Sequence, residues 1–351
     1  MNNGVSEMAA SLFKSRDLPE KLGPMTVKEL RQGLRRGMFV FPFIGIHVLA
    51  VLAMAAEFRM DEVEKSTPHI GVLNLLLFVP GSFFSGPFWA VAGAVCLLLM
   101  PMGGLALMGQ ELDEGNHELL LMTPLSRWKV VRGKFLALWG LCLLTFSSLL
   151  PYVIVRYFIG GIDVARNISM AVTVVFFSGM MAAGAIGASS YPGIAGRIGT
   201  LLLYLGSLFA SMGAVLGAAG AAIGGGEYEE PLAFVVWNFN AFSVVFCYTV
   251  LGLALARSRI RLVVHHYEVR PSWMIIGLLF FTPFVVMMAT LMTIGHAGGI
   301  GLIGMGLVAW FADVSPKAPK WMPPPPPNTP RAAPPPGGPP PPQPGSPLRH
   351  G

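Results

Sequence analysis

The sequence predicts an all-α integral membrane protein, a polytopic bundle of helices. Of its 351 residues, 54% are hydrophobic and only 12% are charged, against roughly 25% charged residues in an ordinary soluble domain. Several uncharged apolar runs are long enough to cross a bilayer, which takes about 20 residues in a helix. These runs lack the alternation of a membrane β-barrel, and open sheet edges are unstable in lipid. The membrane spans are therefore helices.

The N-terminal segment, residues 1–38, is polar and basic, so we expect no cleavable signal sequence in it. Thr26 and Glu29 have the T-x-x-E spacing of a capping box, which predicts a helix start. Apolar residues then fall on one face of that helix with bases around them: Val27, Leu30, Leu34 and Met38. This pattern predicts a cytoplasmic interfacial helix lying on the membrane. An ordinary cytosolic helix is the alternative.

Eight apolar segments are predicted to cross the membrane, six as a core within residues 39–256 and two as a C-terminal hairpin within residues 257–313. The predicted spans are 39–57, 87–109, 135–157, 168–190, 198–224, 237–256, 273–294 and 297–313. Residues 70–84 are apolar but short and contain Pro80, so we interpret them as an outer interfacial or re-entrant segment.

The distribution of basic residues predicts the orientation. With eight spans and the N-terminus inside, 20 of the 24 lysines and arginines fall on the inner side, in agreement with the positive-inside rule. Both termini and the 110–134 loop are then cytoplasmic. The net charge of +6 is explained by this topology, and no patch of bases with exposed aromatics indicates nucleic-acid binding. The proline-rich tail, residues 314–351, is predicted to be disordered, either as a solvated tether or as a ligand for a proline-binding domain.

The predicted spans contain few side chains that could support chemistry. His47 is the single clear ionisable residue at depth, and we interpret it as a neutral histidine packed between helices. Asn238 and Asn240 are placed at the outer start of a span, where water can reach them. Three cysteines lie within apolar runs as small core side chains: Cys96, Cys142 and Cys247. The sequence therefore argues against a membrane enzyme and against ion-coupled transport.

Small residues recur at a spacing of four in two of the spans. The fourth and fifth spans carry such residues on one face each: Gly179, Ala183 and Gly187, and then Gly213 and Gly217. Faces of this kind let helices approach closely or dimerise. Prolines within four spans allow kinks: Pro42, Pro101, Pro151 and Pro283.

The 110–134 loop is highly charged at both ends and apolar at its centre. Gly115 can end the helix that leaves the second span, and Thr123-Pro124 can start the next helix. That next helix would carry four bases along the headgroup layer: Arg127, Lys129, Arg132 and Lys134. Leu119 and Leu120 belong to an apolar patch ringed by charge. Such a patch indicates either a docking surface or a short helix packed against the membrane interface.

The run ELDEGNHELLLMTPLSRWKVVRGKFLALW resembles the loop between the second and third spans of ABC-2 type transporter permeases. The shared positions are Glu111, Gly115-Asn116, Glu118 to Leu121, Thr123 to Ser126, and Gly133-Lys134. Asn116 stands where threonine is common. The resemblance extends over residues 25–256, whereas the C-terminal hairpin and the proline-rich tail depart from the six-span pattern.

The resemblance implies the membrane-spanning subunit of an ATP-driven exporter, with the loop as a coupling helix on a separate ATPase subunit. The coupling residues would be Glu111, Gly115, Glu118, Leu119, Leu120, Thr123 and Pro124. Leu119 and Leu120 would be apolar anchors, and the two glutamates would pair with bases. The chain has no G-x-x-x-x-G-K-[ST] motif, so ATP would be bound by the partner and not by this chain.

The resemblance also implies partners and a location. They are two ABC ATPase subunits, a second permease of the same or a related kind, and membrane lipid, in the cell inner (plasma) membrane. We expect no enzymatic activity, cofactor or metal in the chain itself. The alternative function is a non-transporting membrane scaffold that recruits partners through the loop or the tail. The uncharged spans favour an amphipathic or lipid-like cargo.

Overall fold

The computed structural model describes residues 24–35, 37–64, 86–106, 127–160, 164–191, 193–226, 230–259, 273–293 and 298–312. These residues form helices and short turns, with no β-strand among them. The helices are α1 (Pro24–Arg35), α2 (Gly37–Glu64), α3 (Pro87–Gly93 and the helical segments up to Ala106), α4 (Arg127–Gly160), α5 (Val164–Ser189), α6 (Ile194–Gly224), α7 (Glu230–Arg259), α8 (Met274–Met292) and α9 (Gly298–Ala312). The all-α prediction is confirmed for this part of the chain.

Helix α3 changes its winding along its length. After Pro87–Gly93 it continues as a π-helical segment (Ala94–Leu99), a short α-helical segment (Met100–Met102) and a 3-10 segment (Gly103–Ala106). Pro101 gives a physical reason, because its ring lacks an N–H and displaces the carbonyl of residue 97, which lies in the π-helical segment.

The described helices pack into two groups that share α5. One hydrophobic cluster joins α2, α3, α4 and the first half of α5. A second cluster joins α5, α6, α7, α8 and α9. Helices α5 and α7 are the most enclosed by their neighbours, whereas α2 and α8 bury the smallest share of their apolar length. The C-terminal hairpin of α8 and α9 therefore belongs to the same core as α6 and α7.

Consecutive long helices run in alternating directions. Contacts join the starts of α4 and α8 with the ends of α7 and α9: the guanidinium of Arg257 lies over Trp128, Trp128 packs against Trp310, and Arg259 lies over Trp273. We call this end of the bundle the basic end and the opposite one the far end.

The end of α2 and the start of α3 both lie at the far end. The backbone N–H of Phe88 donates to Glu57 Oε1 at 3.3 Å, so the two helices that flank residues 65–85 meet there. The predicted segment at 70–84 itself lies outside the described residues.

Seven of the described helices are long and apolar enough to cross a membrane. A multi-pass helical membrane protein, as predicted, is therefore supported. Some apolar stretches agree closely with the predicted spans, for example Phe39–Glu57 and Asn167–Ser189, whereas Trp128–Phe158 begins seven residues before the predicted span 135–157. The predicted eighth span is α9, which has 15 residues and a length of about 22 Å, less than the roughly 30 Å of a bilayer core.

Candidate functional site

The predicted coupling residues lie outside the described residues, which stop at Ala106 and resume at Arg127. These residues are Glu111, Gly115, Glu118, Leu119, Leu120, Thr123 and Pro124. The structure does describe the base of the loop, where α4 starts beside α1. Val130, Val131 and Lys134 are all buried in this first part of α4, so the loop leads directly into a packed helix.

A buried ion pair joins α1 to α4 at the base of the loop. Lys134 Nζ donates to Glu29 Oε1 at 3.0 Å, and the exposed fractions of the two side chains are 1% and 2%. The partners are 105 residues apart in sequence. Buried charges persist only when they are paired, because desolvation penalises each one alone. The pair therefore fixes α1 on α4 in one register.

This pair corrects two expectations. Lys134 was expected along the headgroup layer with the other bases of α4, but it points into the protein and is fully enclosed. Glu29 was expected to cap the helix together with Thr26. Helix α1 starts at Pro24, which puts the buried Thr26 within its first turn, and the Glu29 carboxylate faces α4. Neither role was evident from sequence because both depend on the contact between α1 and α4.

The rest of α1 packs closely on α4. A Cβ built at Gly33 would lie 2.7 Å from a methyl carbon of Leu141, so glycine lets the two helices approach. Leu30 packs against the cluster around α2, α3 and α4, and Leu34 is exposed. Helix α1 therefore combines a face that packs on α4 with an outer face that carries Leu34, Lys28 and Arg31.

A second ion pair lies at the far end, with Arg156 buried and Glu57 partly buried. Arg156 of α4 donates from Nε to Glu57 Oε2 at 2.6 Å and from a terminal nitrogen to Glu57 Oε1 at 2.9 Å. Arg156 also donates to Asn167 Oδ1 at 3.3 Å, and Trp89 Nε1 donates to the same oxygen at 2.9 Å. The guanidinium lies over the Phe88 ring at 4.8 Å. Four helices, α2 to α5, thus meet on one arginine.

The sequence did not indicate this cluster. Arg156 was one of the four lysines and arginines that the predicted topology leaves on the outer side of the membrane, and no partner was predicted for it. A signal was present: an acid closes the first apolar run and a base closes the third. Because the first and third spans run in the same direction, their ends lie on the same side of the membrane. The opposite charges at these ends could therefore have predicted an ion pair.

A polar network lies inside the second group of helices, where we expected spans without internal polar chemistry. The Tyr204 hydroxyl donates to the carbonyl oxygens of Met180 and Tyr248 at 2.9 and 3.0 Å. The Tyr248 hydroxyl donates to the Ser207 carbonyl at 2.7 Å and is bonded to the Ser207 and Ser211 hydroxyls at 2.8 and 2.7 Å. All four side chains are buried.

This network also reaches the hairpin, because Ser207 Oγ donates to the Leu279 carbonyl of α8 at 2.6 Å. It consists of hydroxyls and backbone carbonyls, and none of the hydrogen bonds of these groups within the described residues involves an acid or a base. Its arrangement is suited to holding α5, α6, α7 and α8 together. This network could not be predicted from the sequence, because each of its tyrosines and serines is an isolated polar residue in an apolar run.

Asn240 is buried, which corrects its predicted place at a wet span end. Its Nδ2 donates to the Val236 carbonyl at 3.0 Å, and its Oδ1 has no hydrogen-bond partner among the described residues. A Cβ built at Gly299 would lie 2.5 Å from that oxygen. Glycine at the start of α9 therefore allows the hairpin to pack against α7.

Three of the predicted helix-packing residues lie on the face of α5 that touches its neighbours. A Cβ at Gly179 would lie 3.1 Å from the Trp139 ring, and one at Gly187 would lie 2.8 Å from the Gly252 carbonyl oxygen. Ala183 is fully buried against Gly252. Around Gly213 and Gly217 there is open space within 4 Å of a built Cβ, so their face of α6 has no close neighbour in the described chain.

His47 packs beside Phe43 and Tyr152, with 3.3 Å between its Nδ1 and the Tyr152 hydroxyl. The three cysteines are buried and form no disulfide. Among the described residues, no group of histidine, cysteine, aspartate and glutamate side chains could hold a metal ion. The polar contacts thus brace the helices at the base of the loop, at the far end and in the core.

Comparisons with protein-family models, with curated proteins and with solved structures found no match to this chain.

Proposed function

We propose that this protein is the membrane-spanning permease subunit of an ABC transporter, with the 110–134 loop as its contact to a separate ATPase subunit. The motif in that loop carries the proposal: an acidic start, Gly115, the run Glu118 to Leu121, and Thr123-Pro124. Its leucines are the apolar anchors of a coupling helix, and its flanking charges orient the docking. ATP is bound and hydrolysed by the partner.

The packing at the base of the loop supports this proposal. A coupling element must transmit displacement, and a loop that leads into loosely held helices would dissipate it. Here the loop is followed by α4, a single helix of 34 residues and therefore about 50 Å long. The Glu29–Lys134 pair braces its start against α1, and the Glu57–Arg156 pair braces its other end. A push on the loop can thus move α4 and α1 together.

A transporter of this type works with two permease chains, and α6 offers a surface for the second one. Gly213 and Gly217 lie on a face with open space beside it, and small residues let membrane helices from two chains approach. In this proposal the protein lies in the cell inner membrane with both termini in the cytoplasm, so the ATPase and the proline-rich tail are on the same side of the membrane. Export of an amphipathic cargo suits spans that carry so little charge.

The test is a pull-down of the tagged full-length protein from mild detergent, with mass spectrometry and an ATPase assay. The variant Leu119→Asp with Leu120→Asp removes the anchors, and Asn116→Asp adds a charge to the same loop without removing them. We expect an ATPase to co-purify with the wild type and with Asn116→Asp but not with the double variant. If no ATPase is captured from any preparation, with crosslinking included, the chain is a membrane scaffold and not a transporter subunit.

A further inference from the structure

The basic end of the bundle holds an arginine that lies over two aromatic rings. The guanidinium carbon of Arg259, the last residue of α7, lies 4.0 Å from the ring centroid of Tyr191 and 5.5 Å from that of Trp273. A terminal nitrogen of Arg259 donates to the Tyr191 hydroxyl at 2.8 Å. Tyr191 lies between α5 and α6, and Trp273 precedes α8. Three separate parts of the chain therefore meet on this one side chain.

Arg259 has no carboxylate partner in the part of the chain that the structure describes. Its Nε is buried and has no hydrogen-bond partner, although buried donors in proteins nearly always find one. The Tyr191 and Trp273 rings lie against the guanidinium, and its Nε still lacks an acceptor among the described residues. A planar arginine held in this way matches the geometry of a phosphate oxyanion.

The described surroundings of Arg259 supply no carboxylate within ion-pair distance. Burial raises the pKa of the Tyr191 phenol, and Arg259 only partly opposes that rise, so the phenol stays neutral at physiological pH. Arg197 Nε donates to the Tyr191 carbonyl at 3.0 Å, which brings a second arginine to the same turn. Arg257, two residues before Arg259, lies over Trp128 at 5.7 Å. Three arginines thus lie at the basic end of the bundle, and two of them contact Tyr191.

The exposed apolar surface next to Arg259 indicates a lipid as the source of the phosphate. Trp273 is 74% exposed and stands at the start of α8, whose first turns expose Met274, Phe280 and Phe281. Tryptophan is typical of the membrane–water interface, and basic pockets between spans bind anionic headgroups. We propose that Arg259, held by Tyr191 and Trp273, binds the phosphate of an anionic lipid whose chains lie along α8.

The proposal is tested on the full-length protein, delipidated in mild detergent and titrated with phosphatidylglycerol or phosphatidylcholine under native mass spectrometry. We expect the wild type to prefer the anionic lipid by about tenfold, and Arg259→Gln to abolish that preference. Arg259→Lys keeps the charge but not the planar stacked fork, so it should lose most of the preference. Arg35→Gln removes an exposed charge from α1 at the same end and should retain it.

Equal preference in Arg259→Gln and in the wild type would overturn the proposal. If Arg259→Gln aggregates in gel filtration, Arg259→Lys and Trp273→Leu decide the matter, because Trp273 is mostly exposed and its removal leaves the core intact. Retained preference in both of these variants rejects the site. A parallel titration with inorganic phosphate separates the two sources: displacement of the lipid by millimolar phosphate would assign the site to a soluble phosphate instead.

Discussion

Lys134 and Arg156 lie near opposite ends of α4, and each of these buried bases pairs with an acid from the N-terminal part of the chain. Lys134 pairs with Glu29 of α1 at 3.0 Å, and Arg156 pairs with Glu57 of α2 at 2.6 Å. Helix α4 is thus tied at both ends to the helices that precede the loop. Its movement relative to α1 and α2 requires one of these pairs to separate.

The pair at the base of the loop gives the first prediction. We expect Glu29→Gln to lower the free energy of unfolding by about 3–5 kcal/mol, because it leaves a buried ammonium without its carboxylate. Chemical denaturation in detergent, followed by circular dichroism, measures the loss. Arg132→Gln is the matched control, since Arg132 is an exposed base on α4, the helix of Lys134, and should change stability by no more than about 0.5 kcal/mol.

A double replacement distinguishes the contribution of the ion pair to stability from the contribution of side-chain packing. Glu29→Leu together with Lys134→Met removes both charges and keeps similar volumes. It should be more stable than Glu29→Leu alone, because an apolar pair carries no desolvation penalty. If the double variant is no better than the single one, the ion pair is not what holds α1 on α4.

The hydrogen bonds of the far-end cluster predict that a positive charge alone at position 156 does not preserve the stability of the protein. Arg156→Lys keeps the charge but cannot form the two parallel hydrogen bonds to Glu57, so we expect a loss of about 1–3 kcal/mol. Arg156→Gln leaves Glu57 without a base and should cost about 3–5 kcal/mol. Thermal unfolding of the purified variants gives the order, with the exposed Arg31→Gln as reference. Equal stability of the lysine variant and the wild type would contradict the bidentate arrangement.

The positions of the helices could be predicted from sequence because apolar length is a local property. The first apolar stretch covers Phe39–Glu57 in the structure, the same residues as the first predicted span. The described residues of α9, Gly298–Ala312, lie within the eighth predicted span, 297–313, whose two end residues are outside the described part of the chain.

The contacts between helices could not be predicted in the same way. The Glu29–Lys134 pair depends on how α1 lies across α4, and that register depends on the close approach of Gly33 to Leu141. Tyr248 is equally hidden in sequence, because a tyrosine in an apolar run has the pattern of any core aromatic. Of the candidate site, the loop motif could be recognised in the sequence. The two ion pairs at the ends of α4 became evident only from the packing of the helices.

The buried hydroxyl network yields a further prediction. We expect Tyr248→Phe to cost about 1–3 kcal/mol, because the phenylalanine leaves Ser207 and Ser211 without the hydroxyl that they share. Adding Ser211→Ala to this variant should recover part of the loss, since it removes one unsatisfied group. Tyr152→Phe is the control, because its hydroxyl has only a 3.3 Å contact with His47 among the described residues. Equal effects of the two tyrosine variants would argue against a network.

Gly252 lies at the close contact between α5 and α7, whereas Gly217 lies beside open space, and we expect the two to differ in their tolerance of a larger side chain. A Cβ at Gly252 would lie 2.6 Å from the Ala183 carbonyl carbon and 2.8 Å from the Gly184 nitrogen, both backbone atoms, whereas Gly217 has open space beside it. Gly252→Ala should therefore cost about 1–3 kcal/mol or more through overpacking, and Gly217→Ala should leave the monomer as stable as the wild type. If a second permease packs on α6, Gly217→Leu should shift the purified protein from dimer to monomer in light scattering without lowering its unfolding temperature. An unchanged dimer would place the contact between permeases on another face.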